Sequence, residues 1–478
     1  APSRRLFSFS LLPTNRISIL PTHFLPSHNP SRRMPLSIAI IGAGPAGCML
    51  ARLLTHSQPP IKVTIFESES SLDFRSQGGT LDLHASTGQR ALKAAGLFDE
   101  FLKYARYDGE ALKICDKNLL CYITQGGSSN AKSSSFSNRP EIDRPQLRKI
   151  LFESLPEGTV QWNRKLKSIS TDDTLPTLHF TDGTAATGFD LVVGADGAWS
   201  HVRPTLTDER PFFSGIGGYS LVIPQAQRQT PELFDFVNRG SVFAFSDGKS
   251  LTAQYMSDGS LNVGVWRVRA EAMAGEGRKE MNTNHDIEGS KIPLKSALRE
   301  QYHDWHPDLQ AFIQEADDEK MVPRDLFMLP IGHRWEHRPG VTLIGDAAHL
   351  MGPWAGEGVN LALEDALKLS EAIITSATTC TSTTTTDSLG EKKKKSNPNP
   401  TLNHQHIQTF EHEMFARATR TQQMTWTMME AMLLTPGAPR TSIERYLLTA
   451  VGSGIGGWAG WVLAPIVYAW FFVFKLIW

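Results

Sequence analysis

Cysteine is scarce in this chain, and its spacing excludes two kinds of site. The 478 residues contain four cysteines, Cys48, Cys115, Cys121 and Cys380. They form neither a CxxC pair nor a set with metal-ligand spacing, so the sequence predicts no metal site and lacks the redox pair of disulfide-reductase flavoproteins. Scattered cysteines of this kind are typical of reduced thiols.

An excess of charge of either sign is also missing. Lys and Arg number 48 against 49 Asp and Glu, which gives a formal net charge of −1. No overall field would therefore attract nucleic acid or a strongly acidic partner. The chain shows no internal repeat, and 40% of its residues are hydrophobic. At this length and composition it can form two or three domains with their own cores.

Acidic residues are absent from the start of the chain, where the first one is Glu67. Residues 1–33 carry five arginines and several serines, a composition that resembles an organellar transit peptide. Met34 stands just before the first predicted strand, so an untranslated extension or a disordered leader explains the same composition. Organellar targeting and a plain leader both stay open.

Three glycines break the apolar run LSIAIIGAGPAG at the spacing of a dinucleotide-binding turn. Leu36–Ile41 is apolar and β-branched enough for a buried parallel strand, and Gly47–Leu54 has the pattern of the helix after it. Gly42 permits the tight turn, and Gly44 lets a pyrophosphate approach the backbone. Gly47 allows close packing of helix and strand.

A second predicted strand, Ile61–Phe66, leads into Glu67, 20 residues beyond Gly47. An acid at this place can accept a hydrogen bond from a ribose hydroxyl. Strand, helix, second strand and acid therefore occur in the order of a nucleotide-binding βαβ unit. The pattern fits the adenosine of NAD and that of FAD equally.

The middle of the chain changes from a parallel to an antiparallel pattern. Ser241–Phe245, Ser250–Met256 and Ser260–Arg267 alternate around two Asp-Gly turns, which predicts an antiparallel meander. Val341–Ile344 is a further apolar strand, and Gly358–Ile374 is an amphipathic helix. The predicted segments are a leader at 1–33, a nucleotide-binding domain at 34–205 that resumes at 331–374, a substrate domain at 206–330, a disordered low-complexity insertion at 375–403, C-terminal helices at 404–450 and a hydrophobic tail at 451–478.

Two aspartates follow apolar strands, at the end where such sheets bind ligands. Asp196 lies in LVVGADG and Asp346 in IGDAAHLM. A carboxylate at a strand end can accept hydrogen bonds from a ribose or ribityl hydroxyl. His349 is expected to be a packed, hydrogen-bonded side chain, and Glu364 and Asp365 are expected to be surface acids.

With these motifs in order, the chain resembles the single-component FAD-dependent monooxygenases of the aromatic-hydroxylase superfamily. Asp196–Gly197 matches the DG motif of that family and Gly345–Asp346 its GD motif. GGTLDLH at 78–84 and GDAAHLM at 345–351 are most similar to the tetracycline-inactivating monooxygenases. The resemblance implies an α/β fold with a Rossmann-like FAD-binding domain, an interleaved antiparallel-sheet substrate domain and a C-terminal helical region.

Carried over residue by residue, the resemblance implies an FAD site and assigns no catalytic side chain, because the cofactor carries the chemistry. Glu67 would bind the adenosine ribose, Asp82 would lie at the flavin and Arg75 would meet NADPH. Asp196 and Arg203 would contact the FAD pyrophosphate and the reductant. The implied cofactor-binding residues are Gly42, Gly44, Gly47, Glu67, Arg75, Asp82, Arg144, Asp196, Asp346, Gly358, Val359 and Asn360.

The reaction that the resemblance implies is a monooxygenation. NADPH or NADH reduces FAD, O₂ adds to the reduced flavin, and the resulting C4a-hydroperoxide delivers one oxygen atom to a hydrophobic small molecule. The basic insertion and the lipophilic tail indicate a secondary metabolite. A reductase or dehydrogenase of the same fold and a non-catalytic membrane-anchored flavoprotein are the alternatives. A flavin halogenase is disfavoured because the chain lacks a WxWxIP motif.

Residues 455–478 form a hydrophobic run with a single charge, Lys475. The run is long enough to cross a bilayer, and its Trp and Tyr residues are typical of a membrane interface. Pro465 and the preceding glycines weaken a straight helix, so a hydrophobic helix packed on the enzyme is the alternative. The sequence predicts a membrane-associated protein with a transmembrane helix, or a cytoplasmic one with a docked tail.

Overall fold

The computed structural model describes residues 36–58, 60–72, 78–126, 139–171, 175–269, 293–379, 384–386, 392–394, 402–455 and 457–477. The leader at 1–33, Arg75 and most of the insertion at 375–403 lie outside these ranges, and the predictions made for them stay predictions.

Strands and helices alternate in the first part of the chain, as an α/β fold requires. The strands are β1 (Ser37–Ile41), β2 (Lys62–Phe66), β3 (Thr80–Asp82), β4 (Leu112–Asp116), β5 (Cys121–Gln125), β6 (Glu141–Asp143), β7 (Val160–Gln161), β8 (Leu166–Ser170), β9 (Thr177–Phe180), β10 (Ala185–Ala186), β11 (Leu191–Gly194), β12 (Phe212–Ile223), β13 (Ser241–Ser246), β14 (Lys249–Tyr255), β15 (Leu261–Val268), β16 (Val322–Met328), β17 (Val341–Leu343), β18 (Thr384–Thr386) and β19 (Lys392–Lys394).

The helices lie around these strands and form the end of the chain. They are α1 (Pro45–Thr55), α2 (Gly88–Ala94), α3 (Phe98–Leu102), α4 (Arg144–Glu153), α5 (Ala226–Gln229), α6 (Pro231–Val237), α7 (Leu294–Gln301), α8 (Pro307–Gln314), α9 (Asp346–His349), α10 (Gly358–Thr379), α11 (His404–Met429), α12 (Ile443–Ile455) and α13 (Gly457–Ile477). A π-helix, Glu430–Leu434, continues α11.

The sheet that carries the nucleotide motifs is parallel, with the strand order β17, β11, β1, β2, β7. Its central strands are apolar and fully buried, as Ile38, Ile40 and Val193 show. α1 packs against α10 and α4. The predicted strand, helix and second strand are confirmed, and the carboxyl ends of β17, β11, β1 and β2 lie side by side.

A second sheet has the order β16, β12, β15, β14, β13, β4, β5. β13, β14 and β15 form the predicted antiparallel meander. One face of the sheet is covered by α7 and α8, where Leu251, Val263 and Phe312 belong to one buried core. This sheet lies largely in the predicted substrate domain and is named the substrate sheet after that prediction.

The two domains interleave more deeply than the predicted boundaries. β4 and β5 lie within the segment 34–205, yet they pair with the substrate sheet, where β4 runs parallel to β13. Alternation of polar and apolar residues identifies a strand but not its partner, because pairing between distant segments is decided by the tertiary fold. α10 also ends at Thr379 instead of Ile374.

The end of the chain packs on the substrate sheet. α13 lies against α12, and its Phe471 is buried while the ring of Phe474 lies 5.5 Å from that of Tyr122 on β5. No helix among the described residues combines the length and the apolar character that crossing a bilayer needs, so the transmembrane helix predicted in 455–478 is not found. Pro465 lies inside α13.

Candidate active site

The glycine turn after β1 is built against the strand beside it. Gly42 has a φ of +104°, and a Cβ there would lie 2.5 Å from the carbonyl oxygen of Ala195. A Cβ at Gly47 would lie 2.1 Å from the Gly42 oxygen, whereas one at Gly44 would meet no described atom within 4 Å. Gly42 and Gly47 are therefore required by packing, and Gly44 leaves the backbone open to a ligand at the start of α1.

Glu67 closes the next strand end and is buried. Its Oε2 accepts a 2.6 Å hydrogen bond from the Ala43 N–H, and its Oε1 accepts one of 2.9 Å from the Glu69 N–H. Arg148 then pairs with Glu69 at 2.8 Å and donates to the Ala43 oxygen at 3.2 Å. The carboxylate is thus fixed beside the glycine turn, with lone pairs left for a hydroxyl donor.

Asp196, after β11, has one carboxylate oxygen held and one free. Oδ2 accepts the His201 N–H at 2.7 Å, whereas the buried Oδ1 accepts no hydrogen bond from the residues that the structure describes. Burial raises the pKa of this carboxyl group, and hydrogen bonds from Ser200 and the backbone oppose the rise. A buried acceptor without a partner is costly, so this atom suits a ligand donor.

Arg203 joins two loops through hydrogen bonds. It is buried, and its guanidinium donates to the Ala347 oxygen at 2.8 Å and to the Ala198 oxygen at 2.8 Å. The DG and GD segments are thereby held together. Because carbonyl oxygens already accept from its Nε and Nη2 atoms, Arg203 supports the site by positioning these loops.

Asp346 and Arg144 border the same edge. Asp346 is exposed at the start of α9, directly after β17. Burial lowers the pKa of Arg144, and the charge of Asp346 acts against that shift. The two side chains are therefore within range of each other's charge, as a site shared by both motifs requires.

A charged cluster lies between β3 and the start of α10. His84 Nε2 lies 2.9 Å from Asp82 Oδ2, and His84 Nδ1 lies 3.2 Å from Glu357 Oε1. Burial lowers the pKa of His84, but the hydrogen bonds and charges of Asp82 and Glu357 outweigh it and raise the pKa to about 9. The sequence singled out Asp82 and missed both its partner His84 and the second acid on that histidine, Glu357.

Asn360 joins the same two segments. Its Oδ1 accepts a hydrogen bond from the backbone N–H of His84 at 2.9 Å, and its Nδ2 donates to the backbone carbonyl oxygen of Asp82 at 2.9 Å. The side chain of Asn360 is therefore used inside the protein. Gly358, half-buried Val359 and Asn360 start α10, where backbone N–H groups have no partner within the helix.

The expectation for Asp365 was wrong, and that for His349 is confirmed. Asp365 is fully buried and lies 2.5 Å from His349 Nε2 and 3.2 Å from Arg417 Nη2. It also accepts the Gly345 N–H at 3.2 Å. This buried acid therefore supports the GD loop from behind. No group of three or more His, Cys, Asp or Glu among the described residues could hold a metal ion.

A family model described as FAD binding domain matches residues 36–287 and 333–394. Monooxygenase asqM of Emericella nidulans is 32% identical over 383 residues, which cover 72% of this chain and 84% of that protein. Monooxygenase penA of Penicillium thymicola is 32% identical over 387 residues, with 72% and 86% covered. The chain belongs to this family. It is an FAD-dependent monooxygenase.

Solved structures share the fold of this FAD-dependent monooxygenase. HpxO of Klebsiella pneumoniae, complexed with FAD and uric acid, has a TM-score of 0.64 at 16% identity and covers 91% of this chain and 97% of that chain. Tetracycline destructase Tet(51) has a TM-score of 0.60 at 16% identity, with 88% and 98% covered. The predicted fold class and the predicted family are confirmed.

Proposed function

We propose that this monooxygenase consumes NADPH or NADH and transfers one oxygen atom of O₂ to a hydrophobic small molecule, while the other oxygen atom leaves as water. The observation that carries the proposal is the convergence of four motifs at one edge of the parallel sheet. Gly42, Glu67, Asp196 and Asp346 follow four neighbouring strands there. An open α/β sheet binds its dinucleotide at this place.

The residues at this edge fit FAD. The open backbone at Gly44 gives the pyrophosphate room beside the start of α1. The free Oδ1 of Asp196 supplies an acceptor, and Glu67 would accept a hydrogen bond from the adenosine ribose. Arg144 and Asp346 would border the cofactor, and Arg75 would meet the reductant.

The flavin ring would lie beside Asp82 and the first amides of α10. Bound FAD supplies the activation of O₂, and the protein's part is to position the ring and exclude water. The N–H groups of Gly358, Val359 and Asn360 point along the helix axis at its positive end, which favours negative charge on a reduced ring. This arrangement needs no general base in the chain.

The substrate would lie against the face of the second sheet opposite α7 and α8. Asn262 on β15 borders Gly78, where a Cβ would lie 3.4 Å from its Oδ1. A Cβ at Gly264 on the same face would meet Trp266 Nε1 at 2.5 Å and Thr252 Oγ1 at 2.6 Å. This face thus adjoins the segment before β3 and offers an indole ring with a few polar atoms, as pockets for hydrophobic molecules do.

A further relative is named for 6-hydroxynicotinate, a molecule with an aromatic ring. The 6-hydroxynicotinate 3-monooxygenase of Bordetella bronchiseptica is 29% identical over 234 residues, which cover 48% of this chain and 55% of that protein. The aromatic side chains Phe245 and Trp354, with ring centroids 6.3 Å apart, lie beside the same sheet face here. The relative supports a substrate with an aromatic or conjugated part, and the two aromatic side chains support a hydrophobic one.

The test compares small molecules in cells with and without this enzyme by accurate mass, followed by a reaction of the purified protein with NADPH and isotopically labelled O₂. A product heavier by one labelled oxygen atom, formed with consumption of NADPH and O₂, supports the proposal. A product without added oxygen, formed while no O₂ is consumed, would favour a reductase or dehydrogenase of the same fold. The identity of the oxidised molecule would decide whether it is a secondary metabolite.

We also propose that α13 lies on a membrane surface. Its outer face exposes seven large apolar side chains, each between 53 and 72% accessible: Ile466, Tyr468, Trp470, Phe472, Val473, Leu476 and Ile477. The one charge of the tail, Lys475, turns inward and pairs with Glu444 at 2.6 Å. An apolar face of this size, with Trp and Tyr among its members, suits the boundary between lipid headgroups and acyl chains.

Sedimentation with phosphatidylcholine vesicles tests this surface. The wild-type protein should sediment with the vesicles, and Trp470→Ser with Phe472→Ser should remain in the supernatant. Trp199→Ser is the matched control, because Trp199 is 60% exposed but far along the chain from α13. Equal sedimentation of the double variant and the wild type would exclude α13 as the lipid contact.

A further inference from the structure

The buried histidine between β3 and α10 has acceptors on both ring nitrogens. Nε2 faces Asp82 at 2.9 Å and Nδ1 faces Glu357 at 3.2 Å. Ionised carboxylate oxygens accept hydrogen bonds and do not donate, whereas a neutral imidazole donates from only one nitrogen. Two such partners therefore select the imidazolium form of His84.

This imidazolium joins two segments that are distant in the chain. Asp82 ends β3, and Glu357 directly precedes the first residue of α10. The segments also touch beside the ring, because a Cβ at Gly356 would lie 2.9 Å from Asp82 Oδ1. Without a positive charge between them, the carboxylates of Asp82 and Glu357 would repel each other across this contact.

The acids of the neighbouring strand β6 have a basic partner of their own. Glu141 on β6 stands opposite Asp82, and Asp143 follows two residues later. Arg106 lies beside these two residues, because its Nη2 is 3.5 Å from Glu141 Oε2 and 3.1 Å from Asp143 Oδ1. His84 is thus the positive charge in direct contact with Asp82 and Glu357.

We propose that His84, as an imidazolium, is a positioning residue that holds Asp82 and the start of α10 together beside the flavin ring, and that loss of its proton weakens the binding of FAD. The proposal rests on the placement of the flavin ring given above. Glu357 anchors the loop before α10 through its contact with His84. The pair forms a clamp in which one proton controls how firmly the two segments are joined.

The expected pH dependence has a definite sign. The pKa of His84 is raised from 6.5 to about 9, so the protonated clamp persists in the folded protein through neutral pH and is lost as the pH rises through about 9. Loss of one charge-assisted hydrogen bond in a buried site corresponds to about a tenfold change in affinity. The dissociation constant of FAD should therefore rise about tenfold between pH 8 and pH 10.

The test measures the dissociation constant of FAD by fluorescence quenching across this pH range for three variants. His84→Gln should bind FAD about tenfold more weakly at pH 7 and should lack the alkaline transition. Glu357→Gln should keep a transition but move it to lower pH, because one carboxylate stabilises the proton less than two do. His306→Gln is the matched control, since His306 pairs with Asp308 at the surface beside α8.

The outcomes separate this proposal from the placement of FAD itself. An unchanged affinity and pH profile in His84→Gln, or an unmoved transition in Glu357→Gln, would overturn the clamp while FAD binding stands. A wild-type FAD affinity that does not change between pH 8 and pH 10 would also overturn the clamp. If His84→Gln does not fold, the position of the transition in Glu357→Gln decides the question alone. Failure of the wild type to bind FAD would instead overturn the proposed placement.

Discussion

His349 Nε2 and Asp365 Oδ2 lie 2.5 Å apart, and both side chains are almost completely shielded from solvent. The same carboxylate accepts from Arg417 at 3.2 Å and from the Gly345 backbone at 3.2 Å. Asp365 therefore connects α10 and α11 to the GD loop. An acid on α10 therefore holds the loop that carries Asp346 in position.

Replacing Asp365 should destabilise the protein without touching the cofactor. Asp365→Asn leaves Arg417 with the more distant carboxylate of Glu364, at 3.8 Å, as its counter-charge, and the loss of the buried partner costs about 3–5 kcal/mol. Glu371→Gln, at an exposed position of the same helix where the carboxylate pairs with Lys368, should change the free energy of unfolding by less than about 1 kcal/mol. Urea unfolding of both variants measures the difference. Equal losses in the two would show that the buried network contributes little.

The glycine turn and the strand-end aspartates could be predicted because their signal is local. Gly42 and Gly47 are required by contacts within one βαβ unit, and an apolar strand before Asp196 or Asp346 places the acid at the ligand edge of a parallel sheet. The glycine turn, Glu67, Asp196 and Asp346 follow one another in the order of the family's motifs, and few folds other than the predicted one are compatible with that order. Local chemistry was enough to predict that these residues follow neighbouring strands at one edge of the parallel sheet.

The partners of those residues could not be predicted, because they come from distant segments. Glu357 lies 273 residues beyond His84, and the buried Asp365 pairs with Arg417 on α11 as well as with His349. An acid in an amphipathic helix looks exposed until its partner is known. β4 joined the substrate sheet for the same reason, since its pairing with β13 is parallel and remote.

Two of the glycines should separate folding from cofactor binding. Gly47→Ala places a methyl group 2.1 Å from the Gly42 oxygen, so we expect a loss of about 1–3 kcal/mol in the free energy of unfolding. Gly44→Ala meets no described atom within 4 Å and has a φ of −77°, so its stability should stay within about 0.5 kcal/mol of wild type.

Among the folded proteins, the affinity for FAD should be lowered more by Gly44→Ala than by Gly47→Ala. The methyl group of Gly44→Ala would occupy the approach of the pyrophosphate, and we expect FAD to bind at least about tenfold more weakly. Urea unfolding and titration with FAD give the two quantities. If Gly44→Ala binds FAD with the wild-type affinity, the pyrophosphate does not lie against Gly44.

Glu141 should make the stability of the protein depend on pH. Burial raises its pKa to about 8 from 4.5, with Arg106 opposing the shift, so the folded state binds a proton that the unfolded state releases. The penalty for ionising Glu141 therefore grows from about pH 4.5 and is complete near pH 8.

Glu141→Gln removes this titration and keeps a side chain of the same shape. At pH 8 the variant should be more stable than wild type by on the order of 1 kcal/mol or more, and at pH 5 the difference should be small. Urea unfolding of both proteins at the two values measures it. Glu153→Gln, at an exposed site, is the control. A difference that does not grow with pH would show that Glu141 stays ionised in the fold.

Cys121 should be the most reactive of the three cysteines that the structure describes. Cys115 and Cys121 face each other across β4 and β5. The hydrogen bond from Cys115 lowers the pKa of Cys121 to about 6, whereas that bond and burial raise the pKa of Cys115. Burial likewise raises the pKa of Cys48 to about 12. A thiolate reacts with alkylating agents, and Cys121 is also the one described cysteine with partial exposure.

Alkylation with iodoacetamide at pH 7 in a Cys380→Ser background tests this ranking. Peptide mass mapping should find Cys121 modified first, while Cys115 and Cys48 react only after unfolding in urea. Cys115→Ala should slow the reaction of Cys121, because a methyl group cannot donate the hydrogen bond that lowers the pKa of Cys121. Modification of Cys115 before Cys121 would show that the thiolate resides on the buried partner, and an unchanged rate of Cys121 in Cys115→Ala would show that exposure alone sets the order.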